Sequence, residues 1–187
     1  MYNDKSKPKS PLAGVTVNKD PNSFTSAFVS YLHDITLLVA GILLVFSLLF
    51  RVVVVSGPSM NNTLYDGDWL LLLGNILYSE PKQGDIIVAS KESFDDGAPI
   101  IKRVIATEGQ TVDINFELGV VYVDGVALDE PYTLTDTNIN EGVAFPLTVN
   151  EGCIFVMGDN RNDSLDSRST QIGLVDERYI LGKTLFR

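Results

Sequence analysis

The sequence predicts a mainly β protein: a single N-terminal transmembrane helix followed by an extracytoplasmic all-β domain. Three observations predict it. An unbroken apolar run lies near the N-terminus, the rest of the chain breaks into short apolar or alternating segments bounded by Gly, Pro and Asp, and no helix-period segment of any length follows the run. The 187 residues suit one domain plus an appendage, and 45% hydrophobic with 20% charged residues is a folding composition.

Residues 1–34 read as a cytoplasmic tail, with Lys5, Lys7, Lys9 and Lys19 set against Asp4, Asp20 and Asp34. Its first twenty or so residues read as flexible. "SFTSAFVSYL", Ser23 to Leu32, reads either as a short interfacial helix or as loop. Residues 35–55, "ITLLVAGILLVFSLLFRVVVV", are the predicted transmembrane helix. As helix they reach about 31 Å, close to the roughly 30 Å hydrocarbon core of a bilayer. A buried core helix fits less well, because the run has no amphipathic stripe and so short a chain has nothing else to wrap it. A cleaved export signal fits less well too, because such signals begin near the N-terminus. The lysines precede the span and the next basic residue after Arg51 is Lys82. The basic side therefore faces the cytoplasm and residues 56–187 face out, with Arg51 snorkelling to the headgroups.

In the exported part, "DWLLLLGNILY", "GDIIVAS", "PIIKRVIA", "TVDINF", "GVVYVDGVAL", "GCIFVMGD" and "LGKTLF" read as strands. Asp124-Gly125 signals a two-residue hairpin turn. Residues 107–151 are rich in Asp, Glu and Thr. Residues 56–187 carry nine basic and 21 acidic side chains, a net charge of −12, which argues against a nucleic-acid partner.

The only histidine, His33, precedes the span, so a Ser-His-Asp triad is excluded from the exported domain. Cys153, the only cysteine, sits in an apolar strand as a small core residue and leaves no disulfide. One His and one Cys are too few for a zinc site, and no metal or other cofactor is expected. A covalent catalyst here must be a Ser or Thr activated by Lys. Lys82 and Lys91 lie in polar turns and Lys183 in the last strand, whereas Lys102 shares a strand face with Ile100 and Val104. Burial disfavours an ammonium, and a neutral amine is a general base. Alone, Lys102 equally suits an edge-strand charge that blocks aggregation.

The order of motifs is more specific: "SGPSMNNTLYDGD" just after the span, then "GDIIV", then "IKRV", then "MGDNRNDSLDSR". In this the chain resembles the type I signal peptidases, the membrane-bound Ser/Lys proteases that remove signal peptides from exported proteins. The resemblance runs from the anchor to the C-terminus, and its most specific element is Met157 to Arg168. It implies a signal-peptidase-type β domain with Ser59 as nucleophile and Lys102 as general base. It also implies Ser164 as a hydroxyl orienting the lysine and Asp166 with Arg168 as a supporting pair, although those two residues alone could be a surface pair of small value. Met60, Leu64 and Ile101 fall where the family lines shallow pockets for small side chains, and Asp159, Asn160 and Arg161 have a mainly structural role. The implied partners are exported preproteins with small residues before the cleavage site, and membrane lipid. Two positions depart from the pattern. Gly57 stands where some members place an oxyanion-binding serine, and Asn62 where members usually have proline. Glycosylation acceptors at Asn61 and Asn162, inside the catalytic boxes, favour a bacterial plasma membrane. The single-span, compact form looks more like the Gram-positive-type members than like the two-span enzymes with a large inserted domain, and the resemblance makes residues 107–151 a reduced version of that insertion, a small inserted cap. A specialised or catalytically impaired assembly factor for surface proteins is the alternative. The self-cleaving repressors share the Ser/Lys pair but carry a DNA-binding module that this acidic chain lacks.

Overall fold

The computed structural model describes residues 22–92, 94 and 97–186; most of the N-terminal tail read from the sequence lies outside them. The chain divides into two compact units, Met1–Leu43 and Leu44–Arg187.

The N-terminal helix α1 runs Asn22–Leu49, and its stretch Phe24–Leu49 is long and apolar enough to cross a membrane, with a mean hydropathy of 2.2. It takes in Ser23 to Leu32, so the separate interfacial segment does not exist. It also ends six residues short of Val55, because Phe50–Val54 forms a strand, β1. A run of four valines is as apolar as a span, but β-branched side chains lose rotamer freedom in a helix and suit a pleated sheet. The link from helix end to Ser59 is therefore nine residues long and mostly strand, where the sequence reading has three.

The remaining strands are β2 (Trp69–Gly74), β3 (Ile86–Ala89), β4 (Ile100–Thr107), β5 (Thr111–Asn115), β6 (Val120–Val123), β7 (Val126–Ala127), β8 (Leu147–Thr148), β9 (Cys153–Met157), β10 (Val175–Asp176) and β11 (Ile180–Phe186). A seven-stranded sheet has the order β1-β2-β11-β3-β4-β9-β10, and a four-stranded sheet the order β7-β6-β5-β8. All pairings are antiparallel. Asp124 and Gly125 take φ of 52° and 76° and join Val123 to its partner Val126, as the hairpin signal requires. The small sheet, which lies within the predicted cap, shares a core with the large one: Val112, Ile114, Val121 and Val123 pack with Ile105, Phe155 and Met157. The large sheet's other clusters gather Ile87, Val104, Ile154 and Val156, and, under the loop after β1, Val55, Leu70, Leu72 and Val88.

The turn between β2 and β3 is tied to the last strand through Asp85. Its carboxylate accepts from Lys183 Nζ and, at 2.8 Å, from the Tyr78 hydroxyl. Burial alone would raise the Asp85 pKa, but the hydrogen bonds from Lys183 and Tyr78 outweigh it and hold the carboxyl below its usual range. The stabilisation is thus present above the ordinary aspartate value and is lost as pH falls through the lower, folded one. Asp85→Asn is expected to cost about 1–2 kcal/mol at pH 7. Melting temperatures of parent and variant, measured from pH 7 to pH 3, should converge at the acid end.

Candidate active site

The loop Ser56–Asp68 is closed at its base by Val55 N–H donating to Asp68 O at 2.9 Å and by Gly67 N–H donating to Val55 O at 3.0 Å. Gly57 has φ of +87°, a conformation open to glycine, and donates its N–H to Asp66 Oδ1 at 2.9 Å. Met60 begins a tight turn, with Thr63 and Leu64 N–H both donating to its carbonyl at 2.9 Å. Met60 and Leu64, at the two ends of that turn, both enter the cluster of Val55, Leu70, Leu72 and Val88. Two apolar feet thus fix the loop and leave the Ser59 side chain at the surface of the core.

Lys102 comes from β4, paired on one side with Ile87 of β3, while β9 pairs on the other. It is an interior strand, so the edge-charge alternative fails. Lys102 is 4% exposed, flanked by buried Ile100 and Val104, and its Nζ donates to Ser59 Oγ at 2.7 Å. A neutral amine at that distance can take the proton of the hydroxyl, so the pair has the geometry of a nucleophile and its base.

The segment Met157–Arg168 grips this pair from the other side. Asn160 N–H donates to Ser59 O at 3.0 Å, and its side-chain amide to Pro58 O at 3.2 Å. Gly158 has to be glycine: a Cβ there would lie 2.5 Å from Ser59 O and closer still to the Ser164 hydroxyl. Ser164 donates to Asp166 Oδ2 at 2.9 Å and keeps its lone pairs for another donor. Asp166 also accepts from Gly158 N–H at 3.0 Å and from Arg168 Nε and Nη2 at 2.9 Å each. Both members of the Asp166–Arg168 pair are 0% exposed, so it is a buried clamp and not a surface pair.

A second network escapes a reading of the sequence. Arg103, the neighbour of Lys102, donates to Asp159 Oδ1 at 2.8 Å, to Asp159 Oδ2 at 2.6 Å and to Gly84 O at 2.9 Å, and stacks 3.9 Å over the Tyr132 ring. Thr63 donates to the same Asp159, so β4, the serine loop and the Met157–Arg168 segment meet at one carboxylate. An arginine in an apolar strand signals a buried anion, but 21 acidic residues beyond Ser56 hide which one. Arg161 similarly pairs with Glu130 and Thr137. Burial alone would weaken its charge, but the Glu130 hydrogen bond more than offsets this and raises its pKa.

Ser59 and Lys102 open into a groove of about 390 Å³, lined also by Met60, Pro99, Ile101 and Leu165. Met60 and Ile101 thus share one groove with Ser59 and Lys102. Leu64 is buried in the cluster under the serine loop and borders a separate cavity shared with Arg103 and Lys183. Among the described residues no group of three His, Cys, Asp or Glu side chains is placed to hold a metal ion.

Residues 28–187 match the family described as signal peptidase, peptidase S26. A signal peptidase I of Bacillus licheniformis is 33% identical over 180 residues, covering 92% of this chain and 94% of that protein. A probable signal peptidase I-1 of Synechocystis is 38% identical, covering 83% and 81%. Signal peptidase I T of Bacillus subtilis is 34% identical, covering 87% and 86%. A crystal structure of a signal peptidase I from Enterococcus faecalis aligns with a TM-score of 0.46 at 33% identity, over 58% of this chain and 98% of that one.

Proposed function

The chain belongs to the signal peptidase family, peptidase S26, and from that premise we propose that it cuts signal peptides from exported preproteins through an acyl-enzyme on Ser59, with Lys102 as the only base. The observation that carries this is the 2.7 Å contact between a buried lysine amine and a serine hydroxyl at the floor of an apolar groove.

Lys102 Nζ takes the Ser59 proton as Oγ attacks the scissile carbonyl carbon. The Ser59 backbone N–H faces the developing oxyanion; Gly57 supplies no hydroxyl there. Collapse breaks the C–N bond, and the Lys102 ammonium returns the proton to the departing amine of the mature protein. Water then attacks the ester carbon as Lys102 takes its proton; the C–Oγ bond breaks, Lys102 returns the proton to Ser59 Oγ, and the signal peptide leaves as a carboxylic acid that ionises in solution. Met60, Pro99, Ile101 and Leu165 leave room for small side chains before the cleaved bond. Helix α1 anchors the domain to a bacterial plasma membrane by a single pass with the groove outside, so enzyme and membrane-held precursor meet in two dimensions.

The test is a cleavage assay with full-length protein in detergent and a preprotein carrying Ala-x-Ala. The parent is expected to cut after that site, and an acid-quenched reaction should carry the acyl adduct on Ser59 by mass spectrometry. Folded Ser59→Ala should yield neither. Cleavage by that variant would overturn the reading, and no cleavage of several preproteins by folded parent in lipid would favour an assembly factor.

A further inference from the structure

Residues 130–134 follow β7 as an irregular segment, and neither Glu130 nor Tyr132 lines the groove of Ser59 and Lys102. Both side chains are nevertheless committed to arginines beside that pair. The Glu130 carboxylate, 11% exposed, accepts from Arg161 Nη1 at 2.8 Å and from Arg161 Nη2, which makes a bidentate pair. Its Oε1 also accepts from the Tyr132 hydroxyl at 2.9 Å. The Tyr132 ring in turn lies 3.9 Å from the Arg103 guanidinium carbon. Leu134 N–H ends the segment by donating to Asp159 O at 3.0 Å.

These contacts approach the reacting atoms from both sides. Arg161 Nε donates to Gly158 O at 3.1 Å, and Gly158 packs so closely on Ser59 O that a Cβ there would clash. On the other side, Arg103 follows Lys102 in β4. The path Lys102–Arg103–Tyr132–Glu130–Arg161–Gly158–Ser59 is thus a ring, closed by the 2.7 Å hydrogen bond from Lys102 Nζ to Ser59 Oγ. The Arg103–Asp159 pair is a shorter link across it. Two parallel hydrogen bonds fix a guanidinium within its own plane but leave it free to tilt out of that plane. The Tyr132 face blocks the tilt, and Glu130 holds the phenol in place. Successive side chains of a strand leave opposite faces, so a twist of β4 that moves Arg103 also moves Lys102.

We propose that Glu130 and Tyr132 are positioning residues, a strap that holds β4 against the Met157–Arg168 segment and keeps Lys102 Nζ at hydrogen-bond distance from Ser59 Oγ. This rests on the Ser59–Lys102 reading above. Proton transfer from hydroxyl to amine needs near-contact geometry, and a misplacement of about 1 Å costs up to about 10²-fold in rate. Both acylation and deacylation pass through Lys102. The strap touches no groove residue that would hold substrate, so it governs kcat and leaves KM to the groove.

The experiment is steady-state cleavage of an Ala-x-Ala preprotein by full-length protein in detergent, with kcat and KM resolved well below each variant's melting temperature. Tyr132→Leu, which keeps an apolar body and removes the ring, is expected to lower kcat about tenfold with KM within about twofold of the parent. Tyr132→Phe keeps the stack and should recover most of that loss. Glu130→Gln should lower kcat by a similar factor, and the melting temperature too, because Arg161 is left buried without its anion. The two Tyr132 variants keep both arginine pairs and decide the matter should that protein not fold. A merely structural role would lower the melting temperature and leave kcat of the folded enzyme at the parent value. That result in Tyr132→Leu overturns the proposal, as does a Tyr132→Phe no faster than Tyr132→Leu, or a raised KM with kcat unchanged. Lys102→Met run alongside separates the two readings. Activity in that variant sinks the lysine base and the strap with it, whereas inactive Lys102→Met beside parent-like kcat in Tyr132→Leu sinks only the strap.

Discussion

Lys102→Met is expected to reduce preprotein cleavage by at least about 10³-fold while leaving the fold intact. The β domain holds no histidine, since His33 is the only one in the chain. Ser59 Oγ has a titratable neighbour at hydrogen-bond distance, the Lys102 amine at 2.7 Å. Methionine fills nearly the same space beside Ile100 and Val104 and removes a polar head from a site only 4% exposed. Burying an amine is costly, so the variant's melting temperature should equal or exceed the parent's. Lys102→Arg should be as inactive as methionine, because a guanidinium does not give up its proton in this range. The parent should lose activity toward acid pH as Lys102 protonates. Substantial turnover by folded Lys102→Met, or a flat parent profile from mildly acidic to alkaline pH, would remove lysine from the mechanism.

The sequence carried the strands that alternate or run apolar between turn residues, and the Asp124-Gly125 hairpin, because period and turn chemistry are local. It did not separate β1 from the helix before it. Hydropathy treats "VVVV" and "LLVAG" alike, and only β-branching tells them apart. β8 and β10 are two residues each, too short for any pattern. In the site, Ser59 and Lys102 were readable from the motif order. Burial of charge was not, because it depends on which distant segment covers a side chain. Asp166 and Arg168 sit in "NDSLDSR", as polar as any exposed loop, yet both are fully buried. Arg103 and Asp159 lie 56 residues apart and announce their pairing nowhere.

Asp166→Ala is expected to damage stability and activity together. The carboxylate accepts from Gly158 N–H, the Ser164 hydroxyl and two guanidinium nitrogens of Arg168, all at 3.0 Å or less. Removing it leaves a guanidinium that is 0% exposed with only carbonyl acceptors. An uncompensated buried charge of this kind costs about 3–5 kcal/mol, which lowers the melting temperature of a domain this size by about 10 °C or more. Cleavage should fall further than the unfolded fraction explains, because Gly158 and Ser164 lose the shared anchor that keeps Gly158 packed against Ser59 O. Thermal unfolding and cleavage assayed well below the variant's melting temperature separate the two effects. Asp166→Ala/Arg168→Met, which removes both charges, should regain part of the stability but little of the activity, since the Ser164 hydroxyl still lacks its acceptor. A single variant melting within about 2 °C of the parent would mean that the pair is solvated in solution and that Ser164 is held by something other than this clamp.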